Sequence, residues 1–202
     1  MELNPENLKP REMYQWMVQT ILPRPIAWVS TVNAAGATNL APFSFFAGVC
    51  ARPPTLMFGP ANDRFGQPKD TLRNVKATGE FVVNLVSESL GELMNATSAT
   101  LPYGESEFER FGIASTPSVV VRPPRVAASP VAFECRLDRI IRFGEGPIAG
   151  NAVFGTIVRM HVRDEILNAE GQVDVRSFAP LARLGGDLYA SLGELIRLSR
   201  PE

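Results

Sequence analysis

Histidine is almost missing from this chain: His161 is the only one in 202 residues, and cysteine is limited to Cys50 and Cys135. One imidazole and two distant thiols cannot assemble a histidine-rich metal cage. A Ser-His-Asp hydrolase would have to draw its base from mid-strand. Gly104-Glu-Ser-Glu-Phe108 also lacks the final glycine of a nucleophile elbow. Charge of one sign is lacking too: 20 basic side chains face 21 acidic ones, for a net charge of −1. That balance provides no general attraction to nucleic acid or to an anionic membrane. No apolar run reaches the ~20 residues of a membrane helix. Residues 1–10 hold Glu2 and Glu6 and no apolar segment, unlike a signal peptide. Neither a Walker phosphate loop nor a G-x-G-x-x-G between strand and helix occurs, so a nicotinamide would have no Rossmann cradle. Both cysteines lie in apolar, strand-like runs and read as reduced core thiols, which suits a cytoplasmic protein.

What is present is a 45% hydrophobic composition, enough for a real core, in strands at irregular spacing. Residues 25–32 (PIAWVSTV), the turn Asn33-Ala-Ala-Gly36 and the run 39–50 read as a hairpin, and residues 55–58 as a third strand. Residues 12–21 carry only a short helical pattern, which Pro23 and Pro25 end. Asp70 or Thr71 can cap a helix of about two turns that Gly79 closes. Residues 80–87 (EFVVNLVS), apolar on both faces except at Asn84, read as a central strand. Residues 117–130, with four prolines, read as an ordered traverse. Residues 132–143 and 152–162 are the longest strand candidates. In the second, Val153, Gly155, Ile157, Arg159 and His161 share one face. The leucine-rich end is compatible with helix or strand. The pattern argues for one mainly β domain over residues 1–202, an antiparallel β-barrel with inserted helices.

Three local groupings carry chemistry. Lys69 and Thr71 stand at the start of the helix, where free N–H groups, the helix dipole and an ammonium can converge on one anion. A lysine before a helix is equally compatible with a solvated face. Ser30-Thr31 and Asn39-Leu-Ala-Pro-Phe-Ser44 mix hydroxyls and an amide with apolar neighbours, as the lining of a pocket for a flat polar ring or as strand-end caps. Trp28, Phe43, Phe45 and Phe46 suit a core better than a cofactor platform. His161 beside Arg159 reads as a satisfied or surface pair.

The ordered set of motifs resembles the flavin reductase-like family of FMN-binding split barrels, in its longer branch of flavoredoxin and nitrilotriacetate monooxygenase component B type. It comprises Arg24-Pro-Ile-Ala-Trp28-Val-Ser-Thr31, Asn39-Leu-Ala-Pro-Phe-Ser-Phe-Phe46, Pro53-Pro54, Lys69-Asp-Thr71, Val83-Asn-Leu85 and Gly104-Glu-Ser-Glu-Phe108. It continues with Ser129-Pro-Val-Ala-Phe-Glu-Cys135, Phe154-Gly155, His161 and Pro180-Leu-Ala-Arg-Leu-Gly-Gly186 before Tyr189.

That resemblance implies an FMN whose ring and ribityl chain are surrounded by Ser30, Thr31, Asn39, Ala41, Ser44 and Phe45. Lys69 and Thr71 would hold its phosphate, while His161, Arg183 and Gly186 approach late in the chain, from the same copy or a partner. It further implies a homodimer and NAD(P)H as electron donor, with reduced flavin or electrons passed to an acceptor or a redox partner protein. The alternative is a non-enzymatic FMN electron carrier. One departure concerns nicotinamide: where shorter family members carry Gly-Asp-His, this chain has Gly150-Asn-Ala-Val153.

Overall fold

A computed structural model describes residues 1–201. Its first helix, α1 (Pro10–Thr20), has proline in its first turn, where no N–H is required, and the Glu12 carboxylate reaches back to accept the Lys9 N–H at 2.9 Å. Strands β1 (Arg24–Pro25), β2 (Ala27–Val32) and β3 (Thr38–Phe43) follow, and then β4 (Phe46–Ala51) and β5 (Pro54–Phe58). Helix α2 (Asp70–Thr78) precedes β6 (Glu80–Leu85), the short helices α3 (Gly91–Ala96) and α4 (Glu107–Arg110), and the strand pair β7 (Ser115–Thr116) and β8 (Arg125–Val126). Two 13-residue strands, β9 (Val131–Phe143) and β10 (Gly150–Val162), then lead to α5 (Val175–Phe178) and a ribbon of β11 (Ala182–Arg183) and β12 (Tyr189–Ala190).

Seven strands form one antiparallel sheet in the order β3-β2-β6-β9-β10-β5-β4. Its two edges, β3 and β4, are consecutive in the chain and separated only by Ser44 and Phe45. The sheet therefore curls into a barrel that is split at this corner. Its interior is packed by Ala27 and Val29 of β2, Phe43, Leu56, Phe58, Phe81, Val83, Cys135 and Val153, with Leu72 and Val75 of α2 as a plug. A second cluster around Trp28, Leu40, Met94 and Phe108 covers the outside of β2 and β3. The second sheet joins β1 to β11 and β12, so the C-terminal ribbon returns beside Arg24.

The antiparallel barrel, the 27–43 hairpin, the central β6 and the two long strands agree with the sequence. Asn84 is buried on β6, donates to the Trp28 carbonyl and accepts from the Val126 N–H. Four points differ. The run 39–50 is two strands, because the chain turns at Ser44-Phe45 from one sheet edge to the other. Cys50 is exposed, since β4 is an outer edge strand, and only Cys135 is a core thiol. The face assigned to residues 153–161 breaks at a bulge: Ile157 stands opposite Cys135 but Arg159 opposite Glu134, so Arg159 and His161 leave the interior face. The leucine-rich end is neither helix nor strand over residues 191–201.

Candidate functional site

The free edge of β3 borders a groove made of two adjoining cavities. One, of about 280 Å³, is lined by Asn39, Ala41, Lys69, Thr71, Tyr103 and residues 97–101. The other, of about 170 Å³, is lined by Phe43, Ser44, Met94, Asn95, Arg183 and Tyr189. Pro42 and Ser98 border both. The edge itself is prevented from recruiting another strand. The Leu40 N–H is taken by the Glu107 carboxylate at 2.8 Å, and Pro42, next in the outward register, has no N–H to offer.

At the first end, α2 begins without a side-chain cap. Its N-cap residue is Lys69, in an extended conformation, and neither Asp70 nor Thr71 caps it. Lysine has no acceptor for the first-turn N–H groups, so those donors and the positive end of the dipole face the groove unsatisfied. The Lys69 ammonium makes no ion pair among the described residues and lies 5.9 Å from the centre of the Phe43 ring. Desolvation lowers its pKa, with Asp63 opposing. Asp70 is the one carboxylate in that first turn. Its pKa is raised by desolvation, with Arg73, 3.6 Å away, opposing.

Beneath this end lies a polar floor. Asn39 Nδ2 donates to Thr71 Oγ1 at 3.0 Å and to Thr31 Oγ1 at 3.3 Å, and Asn74 Nδ2 donates to Thr31 Oγ1 at 3.0 Å. Tyr103 in turn donates its hydroxyl proton to Asn74 Oδ1. Since Thr71 Oγ1 accepts from Asn39, its own proton remains free to be donated into the groove.

At the second end, Arg24 donates Nε–H to Ser44 Oγ at 3.3 Å, and Arg183 stacks over Tyr189 with its guanidinium carbon 4.4 Å from the ring centre. Between the ends Ala41, Pro42, Phe43 and Met94 make most of the lining apolar, with Ser98 as a polar residue common to both cavities. The uncapped helix start and the free Lys69 ammonium suit an anionic group at the first end, and Ser44 and Arg183 offer donors at the second.

Of the residues expected at the site, Asn39, Ala41, Lys69 and Thr71 meet at one end, Ser44 and Arg183 at the other, and Thr31 supports the floor from below. Phe45 sits on the corner with its ring edge-on to Tyr14, 6.3 Å between centres. Gly186, with φ of 60°, holds the ribbon turn, and its carbonyl accepts from Arg183. Ser30 points the other way. It alternates with Thr31 along β2, and its hydroxyl donates to the Pro124 carbonyl. His161 does not join the groove within one chain. Its Nε2–H donates to the fully buried Glu134 at 2.6 Å. Arg24, Asn74, Tyr103 and Tyr189 were not anticipated. Asn74 had a signal, since it lies three residues after Thr71 on the same helix face.

A larger recess of about 610 Å³ lies elsewhere, by Ser87, Arg163 and Phe178. Its one arginine is already paired with Glu165 at 3.0 Å, and it holds no comparable convergence of free donors.

The model of the flavin reductase-like domain matches residues 18–181, which include every element lining the groove up to Leu181. The chain belongs to the flavin reductase-like family. An uncharacterized protein of Halalkalibacterium halodurans is 39% identical over 100% of this chain and 97% of its own length. Nitrilotriacetate monooxygenase component B from Bacillus cereus superposes with a TM-score of 0.92 at 35% identity, covering 98% of each chain. The 2-nitrobenzoate 2-nitroreductase of Pseudomonas fluorescens does so with a TM-score of 0.88 at 34% identity, over 100% of this chain and 96% of that one. The fold is thus the split barrel of flavin reductases, and the family is one of flavin-related oxidoreductases.

Proposed function

We propose that the groove along β3 binds one FMN and that the protein is an NAD(P)H-dependent flavin reductase, delivering reduced flavin or electrons to an acceptor or partner protein. The observation that carries this reading is the uncapped start of α2, with Lys69 and Thr71 beside it, at one end of a groove whose other end holds Ser44 and Arg183. A phosphate supplies the acceptors and the negative charge that this helix end lacks. The donor set suits FMN: an anion site, apolar walls for a tricyclic ring, and hydroxyl and guanidinium donors for its polar edge.

In this reading Lys69, Thr71 and the first-turn N–H groups hold the phosphate. Asn39 keeps Thr71 oriented as a donor, and Ser44 and Arg183 address the ring. When bound, FMN supplies the electron-transfer chemistry; the chain supplies position and electrostatics. Excess positive charge at the ring end favours a cofactor that gains negative charge on reduction. No dyad of acid and base is needed for that task, which accounts for a site with no histidine in the groove.

The protein is further proposed to act as a homodimer in the cytoplasm. Support for the dimer comes from two apolar surfaces left open in one chain. Residues 47–51 of the edge strand β4 are exposed and uncharged, and Leu192, Leu195, Ile196 and Leu198 are exposed near the C-terminus. Among the described residues, no helix is long and apolar enough to cross a membrane.

The test is the absorbance spectrum of the purified protein with FMN, followed anaerobically after NADH and then NADPH. Bleaching of the flavin band by either nucleotide supports the reductase and names its donor. Bound flavin bleached only by dithionite makes the protein an electron carrier instead. Protein that stays colourless with added FMN refutes the site.

A further inference from the structure

Arg24 is an anomaly of charge. It is 4% exposed, yet no ion pair among the described residues includes it or Arg183. A buried cation is usually matched by a carboxylate, because desolvating it alone is costly. Here three carbonyls stand in. Arg24 Nη1 donates to Val18 O at 2.7 Å and Ile21 O at 2.9 Å, and Nη2 donates to Leu184 O at 2.8 Å. Carbonyls satisfy N–H groups without cancelling the positive charge. Desolvation lowers the Arg24 pKa, Tyr14 acts against it, and the nearby Arg183 adds to the lowering.

The fourth donor is the informative one. Arg24 Nε–H points at Ser44 Oγ at 3.3 Å, and Ser44 lines the ring end of the groove. A hydroxyl has one proton and two lone pairs. With a lone pair engaged by a fixed cation, Ser44 is polarised and its proton is left to be donated toward the groove. The same guanidinium ties the end of α1 and the turn after β11, so it also fixes where Arg183 stands relative to Ser44.

We propose that Arg24 is a positioning residue that sets Ser44 as a hydrogen-bond donor and, with Arg183, maintains an uncompensated positive field at the ring end, so that the site binds reduced FMN more tightly than oxidised FMN. This rests on the FMN reading above. Reduction adds electron density and negative charge to the ring, so a fixed donor and two cations favour the reduced form.

The experiment measures two quantities on the full chain: the dissociation constant of oxidised FMN, and the reduction potential of bound against free FMN by anaerobic dye titration. The wild type is expected to bind FMN and to raise its potential. Ser44→Ala removes only a half-buried hydroxyl. It is expected to weaken the preference for reduced FMN about tenfold, a potential lower by about 30 mV for a two-electron couple, with oxidised FMN still bound. Ser44→Thr, which keeps the hydroxyl, should restore the wild-type potential. Arg24→Lys keeps charge but loses the fork, and a folded variant should likewise show a lowered potential. If Arg24→Lys does not fold, the Ser44 pair decides. Bound FMN with an unchanged potential in Ser44→Ala overturns this inference alone. Failure of the wild type to bind FMN overturns it together with the FMN reading.

Discussion

Glu134 gives the sharpest test of how this barrel is held together. Its carboxylate is fully buried on β9 and accepts four hydrogen bonds: from the N–H groups of Val119, Val120 and Val121 at 2.8, 2.6 and 3.1 Å, and from His161 at 2.6 Å. The proline-rich strap over residues 117–124 is thus pinned to the barrel by one side chain. Glu134→Gln keeps the shape but turns one acceptor oxygen into a donor, which then faces donors. Each oxygen accepts two bonds, so two charge-assisted bonds are lost. At about 1.5–3 kcal/mol apiece the cost is roughly 3–6 kcal/mol. For a domain of this size that lowers Tm by on the order of 10 °C, readable by far-UV circular dichroism or urea titration. The pH dependence has a definite sign. Burial by itself would raise the Glu134 pKa, but the Val119, His161, Val120 and Val121 donors outweigh it and hold it below the usual 4.5. The stabilisation is therefore complete above about pH 4.5 and lost as pH falls through the lower folded value. The gap between wild type and Glu134→Gln should close in acid. A variant within 1 kcal/mol of wild type at neutral pH would refute the pinning.

Lys69→Ala should weaken FMN binding by about 1.5–3 kcal/mol, roughly ten- to a hundred-fold, through loss of one charge-assisted phosphate contact. A titration giving an unchanged dissociation constant would remove Lys69 from the site. Asn84→Leu should cost about 1–3 kcal/mol, because the Val126 N–H that donates to Asn84 Oδ1 at 2.8 Å would be left buried and unpaired. An unaltered melting temperature would contradict this. Gly155→Ala places a methyl in overlap with the Phe81 ring and 3.3 Å from Cys135 Cβ inside the barrel. Overpacking there should cost about 1–3 kcal/mol, and a wild-type melting curve would mean that Phe81 yields freely.

The parts legible in the sequence are those where a local pattern and the tertiary environment agree. The long strands β9 and β10 come from long runs of strand-forming residues, each extended over 13 residues, and α2 ends on a glycine that adopts the left-handed conformation, with φ of 69°. The break at Ser44-Phe45 was not legible, because neither residue is a glycine, proline or asparagine that would mark a turn, and only closure of the sheet decides where one edge ends. Cys50 looks like a core thiol by its neighbours, but residues 47–51 of the edge strand β4 have nothing packed over them and are exposed. The cap of α2 was misread for a related reason. Asp70 and Thr71 are good caps in isolation, but both fall inside the helix, and Lys69 takes the boundary. A helix optimised for stability alone would place an acceptor there. Leaving the first turn unsatisfied is what suits it to an anion.

Ser30, Thr31 and His161 show how far a family resemblance transfers residue by residue. Neighbours on a strand cannot both face one ligand with their side chains, and the period of two sends Thr31 to the groove floor and Ser30 to the Pro124 carbonyl. His161 is placed by register. It stands opposite Ala132, so Glu134, two residues along the partner strand, is its diagonal neighbour. The bulge between Ile157 and Arg159 puts both on the outer face, beneath the proline-rich strap. The sole histidine is thereby committed to fixing a buried carboxylate. In the FMN reading proposed above, recognition in this groove falls to an uncapped helix, an oriented threonine, and an arginine that no carboxylate pairs with among the described residues.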